Sequence, residues 1–195
     1  MENKVYQQNI TPEELNKISI DRFNGRVLVI DSMYTFKKYF KLLEGKSILG
    51  FDTETKPSFR KGKRNRVSLL QLAFNNTAFL FRLNKIGLQD ELVHLLSDPK
   101  VIKTGVALRE DINALQKLTR FEPAGFIDLQ MLVRDFGIES TSLKKITAIV
   151  MGFRISKSQQ VTDWEAPVLS EAQKIYAATD AWVCYQIYSR LTGQF

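Results

Sequence analysis

Apolar and polar positions change period along this chain, and each change marks an element. Residues 26–30 (RVLVI) read as a short strand, and from Met33 to Leu43 the apolar positions Phe36, Tyr39, Phe40 and Leu43 take helical spacing until Gly45 stops them. Three strands are predicted next, over 47–54, 67–74 and 78–83, with Asn75-Asn76 as a tight hairpin between the last two. The pattern then alternates: a helix over 88–96 ended by Asp98-Pro99, a strand over 101–105, a helix over 108–118 and a short strand over 125–127. The last third is helical. Asp128 is placed to cap a helix over 129–136, a second follows over 142–150, and a long closing helix starts at Ser170 with Gln173 completing a capping box. Residues 154–168 have weak periodicity and contain Pro167, so they read as a loop or frayed helix that could order on a substrate. Near the start, Thr11, Pro12 and Glu14 open a short helix by the same capping logic, within an accessory segment over residues 1–25. Strands early and β/α alternation later predict an α/β sandwich with a mixed sheet. A chain of 195 residues fits a single domain.

Composition narrows the class. The net charge of +7 and a pI near 9.5 lean toward a polyanionic partner, nucleic acid first. One cysteine, Cys184, excludes an internal disulfide and a multi-thiolate zinc site, fits a reducing compartment, and reads as a small buried apolar residue. No apolar run approaches a membrane span, and the polar start MENKVYQQN has no signal-peptide layout, so the expected location is cytoplasmic.

Candidate chemistry sits in three places. In ILGFDTET a buried-looking run ends in Asp52 and Glu54, whose i, i+2 spacing puts both carboxylates on one face of the strand. Mutual repulsion and desolvation disfavour that arrangement unless a cation or donor compensates; two solvated acids at an exposed strand end are the bland alternative. In GVALREDINAL, Asp111 lies early in a helix, where it also suits the helix dipole, and spacing alone does not choose between the two roles. In IYAATDAW, Tyr176 and Asp180 stand four apart on one helix face beside small alanines, against the alternative of an aromatic core helix with one exposed acid.

Taken in order, FDTET, GVALREDINAL and WEAPVLSEAQKIYAATDAW resemble the motifs of the DEDD superfamily of 3'-5' exonucleases. The subclass resembled is the tyrosine one, which includes ribonuclease D and the exonuclease domain of the Werner syndrome helicase. The likeness runs from about Ile30 to Phe195. It implies a ribonuclease H-like fold and release of nucleoside 5'-monophosphates from nucleic-acid 3'-ends, with DNA placed slightly ahead of RNA and DNA repair as the setting. It also implies that Asp52, Glu54 and Asp180 hold one metal, with Asp52 shared to a second ion that Asp111 reaches directly or through water. Hard oxygen ligands suit Mg²⁺ or Mn²⁺, and two such ions roughly 3.5 to 4 Å apart activate water and stabilise the leaving oxygen. Tyr176 then positions the attacking water, since a phenol stays neutral at pH 7. The lone histidine, His94, lies far from this motif in a Leu-rich helix and reads as an ordinary helix residue.

The basic run FRKGKRNR offers Arg60, Lys61, Lys63, Arg64 and Arg66 as phosphate contacts, with a solvated hairpin loop as the plain alternative. Lys157, Gln160 and Trp164 are assigned contacts to phosphate or the terminal nucleotide. The first motif lacks the aromatic that follows the glutamate in the Werner domain, and the second lacks the asparagine-phenylalanine context of proofreading enzymes, so stacking on the terminal base is expected to differ. No helicase motif follows, which suggests a stand-alone nuclease targeted by a protein partner. Two readings compete with the exonuclease: a nucleic-acid-binding module of the same fold without turnover, and a metal-free carboxylate-pair glycosidase, which four acids in this order fit poorly.

Overall fold

The computed structural model describes residues 5–58 and 65–194. Its centre is a six-stranded mixed sheet made of β1 (Arg26–Ile30), β2 (Ile48–Thr55), β3 (Val67–Phe74), β4 (Thr77–Phe81), β5 (Ile102–Gly105) and β6 (Phe126–Asp128), in the order β1-β4-β3-β2-β5-β6. Only β3 runs against its neighbours; β1 with β4, β2 with β5 and β5 with β6 pair in parallel. The near-continuous burial of β3, β4 and the first half of β2 follows from helices lying on both faces.

The helices are α1 (Pro12–Lys17), α2 (Met33–Phe40), α3 (Leu83–Ile86), α4 (Asp90–Ser97), α5 (Leu108–Gln116), α6 (Leu129–Leu132), α7 (Leu143–Met151) and α8 (Glu171–Thr192). Capping boxes close the N-termini of α1 at Thr11 and Glu14 and of α8 at Ser170 and Gln173, as their sequences require. The hairpin between β3 and β4 turns at Asn75, whose φ of 46° is tolerated by asparagine.

Three boundaries differ from the periodicity. The fourth strand stops at Phe81, and Leu83 begins α3 instead, because the apolar run continues through a single helical turn too short to register as a period. The helix expected from residue 88 starts at Asp90. The helix capped by Asp128 is a four-residue α6 continued as a 3₁₀ turn over Val133–Phe136. Residues 154–168 form no helix; they hold one β-bridge, from Arg154 to Ile20, and a series of turns.

The long α8 packs across β2 and β3. Gly50 of β2 makes that possible: a Cβ there would lie 1.8 Å from the Ala181 carbonyl oxygen. Ala73, Ala78, Ala178 and Ala181 fill the rest of the seam with small side chains. The N-terminal segment is tied to the same helix, the Phe23 N–H donating to Thr179 Oγ1 at 3.0 Å. No helix of the described residues is long and apolar enough to cross a membrane.

Candidate metal centre

Strand alternation places Asp52 and Glu54 on the face of β2 that meets α8, and the close approach at Gly50 brings Asp180 against them. One oxygen from each of Asp52, Glu54 and Asp180 lies within 4.8 Å of the others. Burial raises all three carboxyl pKa values: Asp52 well above its ordinary range, Glu54 to about 9 and Asp180 to about 7. For Asp52 and Glu54 the charges of neighbouring acids add to the rise, while the Tyr176 hydroxyl, directed at Asp180, pulls Asp180 the other way. One buried and two half-buried carboxylates, converging and mutually repelling, are hard-oxygen donors that fit a divalent cation, which would relieve both terms at once.

Asp111 stands beside this group and outside it. It is anchored by a hydrogen bond from the hydroxyl of Thr53, the residue between the two acids of β2, and burial holds its carboxyl up at about 6. The start of α5 that carries it is fixed from β6: the Asp128 carboxylate accepts from the Ala107 and Leu108 N–H groups at 3.3 and 3.2 Å while also capping α6. Ala107 holds a left-handed φ of 57° at that corner.

Tyr176 lies one turn before Asp180 on α8. Burial and the surrounding acids push its phenol far above the ordinary tyrosine value, so it remains protonated. The Trp164 ring packs against it with centroids 6.0 Å apart. Trp164 is fully buried among Leu69, Leu80, Leu169 and Ala177, so the expectation that it contacts nucleic acid is corrected: it supports Tyr176 from beneath. A loop can present or bury an aromatic with the same sequence, and here Arg82 helps hold the buried form. Its buried guanidinium donates to the carbonyls of Ala166 at 2.5 Å and Pro167 at 3.0 Å, with Trp164 at 3.5 Å, drawing the loop inward. Gln173 adds bonds to Thr162 Oγ1 and the Asp163 carbonyl, and Lys56 pairs with Asp163 at 3.1 Å.

The cleft over the carboxylates, about 230 Å³, is lined by Asp52, Glu54, Tyr176 and Asp180 together with Lys157 and Gln160. Lys157 lowers the Asp180 pKa by its charge. Lys144, near the start of α7, also lines this cleft and was not singled out from the sequence; helical spacing alone does not reveal that this end of α7 faces the acids. Arg66 lies elsewhere, in a groove on the Asp111 side, and Arg60, Lys61, Lys63 and Arg64 fall outside the described residues. His94 is an exposed residue of α4. Cys184 is buried with its thiol pKa raised, which makes it a packing residue.

The sheet order and flanking helices define a ribonuclease H-like fold carrying an acidic centre. A 3'-5' exonuclease family profile matches residues 27–195, and the chain belongs to that family. It is 29% identical over 150 residues to the bifunctional 3'-5' exonuclease/ATP-dependent helicase WRN of Mus musculus, covering 74% of this chain and 11% of that protein. Among solved structures, the Nibbler EXO domain of Aedes aegypti superposes with a TM-score of 0.78 at 26% identity, covering 90% of each chain. Escherichia coli RNase D superposes with a TM-score of 0.75 at 25% identity, covering 85% of this chain and 44% of that one. The chain spans roughly a tenth to a quarter of the length of the curated relatives it matches.

Proposed function

We propose that this chain hydrolyses phosphodiester bonds at nucleic-acid 3'-ends with the help of divalent cations, releasing nucleoside 5'-monophosphates. The observation that carries the reading is the convergence of Asp52, Glu54 and Asp180 within 4.8 Å, in a cleft that Lys144 and Lys157 also line. Asp52, Glu54 and Asp180 would hold one Mg²⁺ or Mn²⁺, and Asp111, beside Asp52, would serve a second. Bound there, the ions would supply Lewis-acid stabilisation of charge at phosphorus and make water a better nucleophile.

The side chains divide the remaining work. Tyr176, protonated across the working pH range, donates a hydrogen bond and orients the attacking water without acting as a strong base. This hydroxyl supports the reading that the chain belongs to the tyrosine subclass. Lys157 and Gln160, which line the same cleft, would contact the terminal nucleotide and its phosphate. Trp164 and Arg82 keep Tyr176 in place from below.

The test is mononucleotide release from matched 3'-labelled DNA and RNA, single-stranded and recessed, with Mg²⁺, Mn²⁺ or chelator. Asp52→Ala is expected to abolish release, and chelator to do the same. Unchanged release by that variant would overturn the assignment. Oligonucleotide binding with Mn²⁺ but no release by the unaltered protein would favour a binding module of the same fold.

A further inference from the structure

The cleft over the carboxylates is small, whereas a second groove opens on the far side of β2, beyond Thr53 and Asp111. Its volume is about 910 Å³, near the upper end of ordinary ligand sites. Thr53 lines both spaces, so the groove adjoins the cleft that holds the acids.

One wall of the groove is the outer face of α5. Arg109, Asn113 and Lys117 recur every four residues, which sets them in one stripe on that helix, and all three are exposed. Arg66 stands across from them at the entry to β3. Arg66, Arg109 and Lys117 make no ion pair with any described residue. Glu110 and Asp111 also line the groove, but Arg66, Arg109 and Lys117 outnumber them, and the net positive field there favours a polyanion. Arg109 and Lys117 are eight residues apart, roughly 12 Å along the helix axis. That separation spans three to four nucleotide steps at about 3.4 Å per stacked residue.

We propose that this groove binds the phosphate backbone of nucleic acid upstream of the 3'-end, with Arg109 and Lys117 contacting phosphates three to four nucleotides apart and Asn113 hydrogen-bonding between them. The proposal rests on the exonuclease reading for which end of the strand is meant. The strand's terminal nucleotide would occupy the Lys157 and Gln160 side, and the backbone would pass Asp111 into the groove. Two sources share this chemistry, the cleaved strand itself and a complementary strand paired to it.

The experiment compares the unaltered protein, R109A/K117A and the remote charge control K37A/K41A on α2 and the turn that follows it. Substrates are a trinucleotide, a single-stranded 15-mer and the same 15-mer recessed on a longer template. The ratio of kcat/KM for the 15-mer to that for the trinucleotide should fall about tenfold in R109A/K117A and stay unchanged in the control. Fluorescence anisotropy with the 15-mer in Ca²⁺ should show a salt slope lower by about 1.4, from two lost contacts at roughly 0.7 each. A loss on both 15-mer forms assigns the groove to the cleaved strand, and a loss confined to the recessed form assigns it to the complement. An unchanged ratio together with an unchanged salt slope would overturn the groove while leaving the exonuclease reading intact. An equal loss in the control would overturn it too, by showing a bulk charge effect. If the unaltered protein releases nothing from any substrate, the exonuclease reading fails, and the anisotropy slope still tests the groove.

Discussion

Tyr176 shows how little a residue's chemistry is settled by its type. Its neighbours are three carboxylates, and burial with their negative field makes phenolate formation harder, so this hydroxyl is a donor at every accessible pH. Tyr176→Phe keeps the ring on Trp164 and removes the donor alone. We expect kcat to fall by roughly 10²-fold with KM little changed, the size of a lost positioning hydrogen bond in a transition state. The alkaline limb of the pH-rate profile should be the same in both proteins. A limb that disappears in the variant would make the tyrosine a titrating base and defeat this role. Gln71 poses a related question at the same depth: it lies directly opposite Asp52 in the β2/β3 ladder, fully buried, with both side-chain amide atoms unpaired. An orphaned amide there costs free energy unless a partner arrives with the cation or with water.

At the scale of elements, the site depends on two contacts that bring α8 and its leading loop to the sheet. Gly50 permits the helix to lie on β2, and a methyl group would strike the Ala181 carbonyl. Gly50→Ala should therefore displace α8 and separate Asp180 from Asp52 and Glu54. Its cost should be at or above the roughly 1–3 kcal/mol of ordinary overpacking. Calorimetry should show weakened Mg²⁺ binding alongside a lower Tm, and normal Mg²⁺ affinity would sink the argument. Arg82→Met tests the loop: two or three carbonyls lose a charged donor, which should destabilise the protein by about 3 kcal/mol and lower kcat more than it raises KM. A variant with normal Tm and normal kcat would remove Arg82 from this role.

These contacts also mark where the sequence stops being readable. Strands and helices announced themselves through period and caps, and Asp52, Glu54, Asp111 and Asp180 through the motifs that contain them. The depth of Trp164 did not, because it depends on an arginine 82 positions earlier whose partners are backbone carbonyls. Backbone acceptors leave no mark in composition. The same holds for Lys103, a buried cation whose Nζ donates to the carbonyls of Leu95 and Asp98 behind α4 and lies over the Phe126 ring. The α5 stripe is legible as i, i+4, i+8 spacing, but its address beside the acids required the sheet order.

For the whole molecule, the acidic centre is expected to make stability depend jointly on pH and divalent cation. Asp52, Glu54, Asp111 and Asp180 all have folded pKa values above their ordinary values of 3.8 or 4.5. The folded protein thus holds protons that the unfolded chain releases, and these groups contribute stability fully present below about pH 4. That contribution is lost as pH rises through about 6 for Asp111, 7 for Asp180 and 9 for Glu54. Lys103 acts in the opposite sense: burial lowers its pKa to about 8, so it gains stability as pH climbs from there toward 10.5. The clean window is therefore pH 5 to 8. In chelator, Tm should fall steadily across it, because each released proton leaves another buried charge facing its neighbours. Mg²⁺ at a hundredfold excess over its Kd should add about 2.7 kcal/mol. For a domain of this size that is roughly 5 to 10 °C in Tm. The increment should be smallest at pH 5, where protons compete for the same oxygens, and largest at pH 8. Glu54→Gln should flatten the chelator curve and shrink the Mg²⁺ increment together, since one side chain causes both. Thermal scans at four pH values, with and without Mg²⁺, decide the matter. Parallel curves, or an increment that shrinks as pH rises, would mean that the three acids are not the groups through which cation binding and folding are coupled.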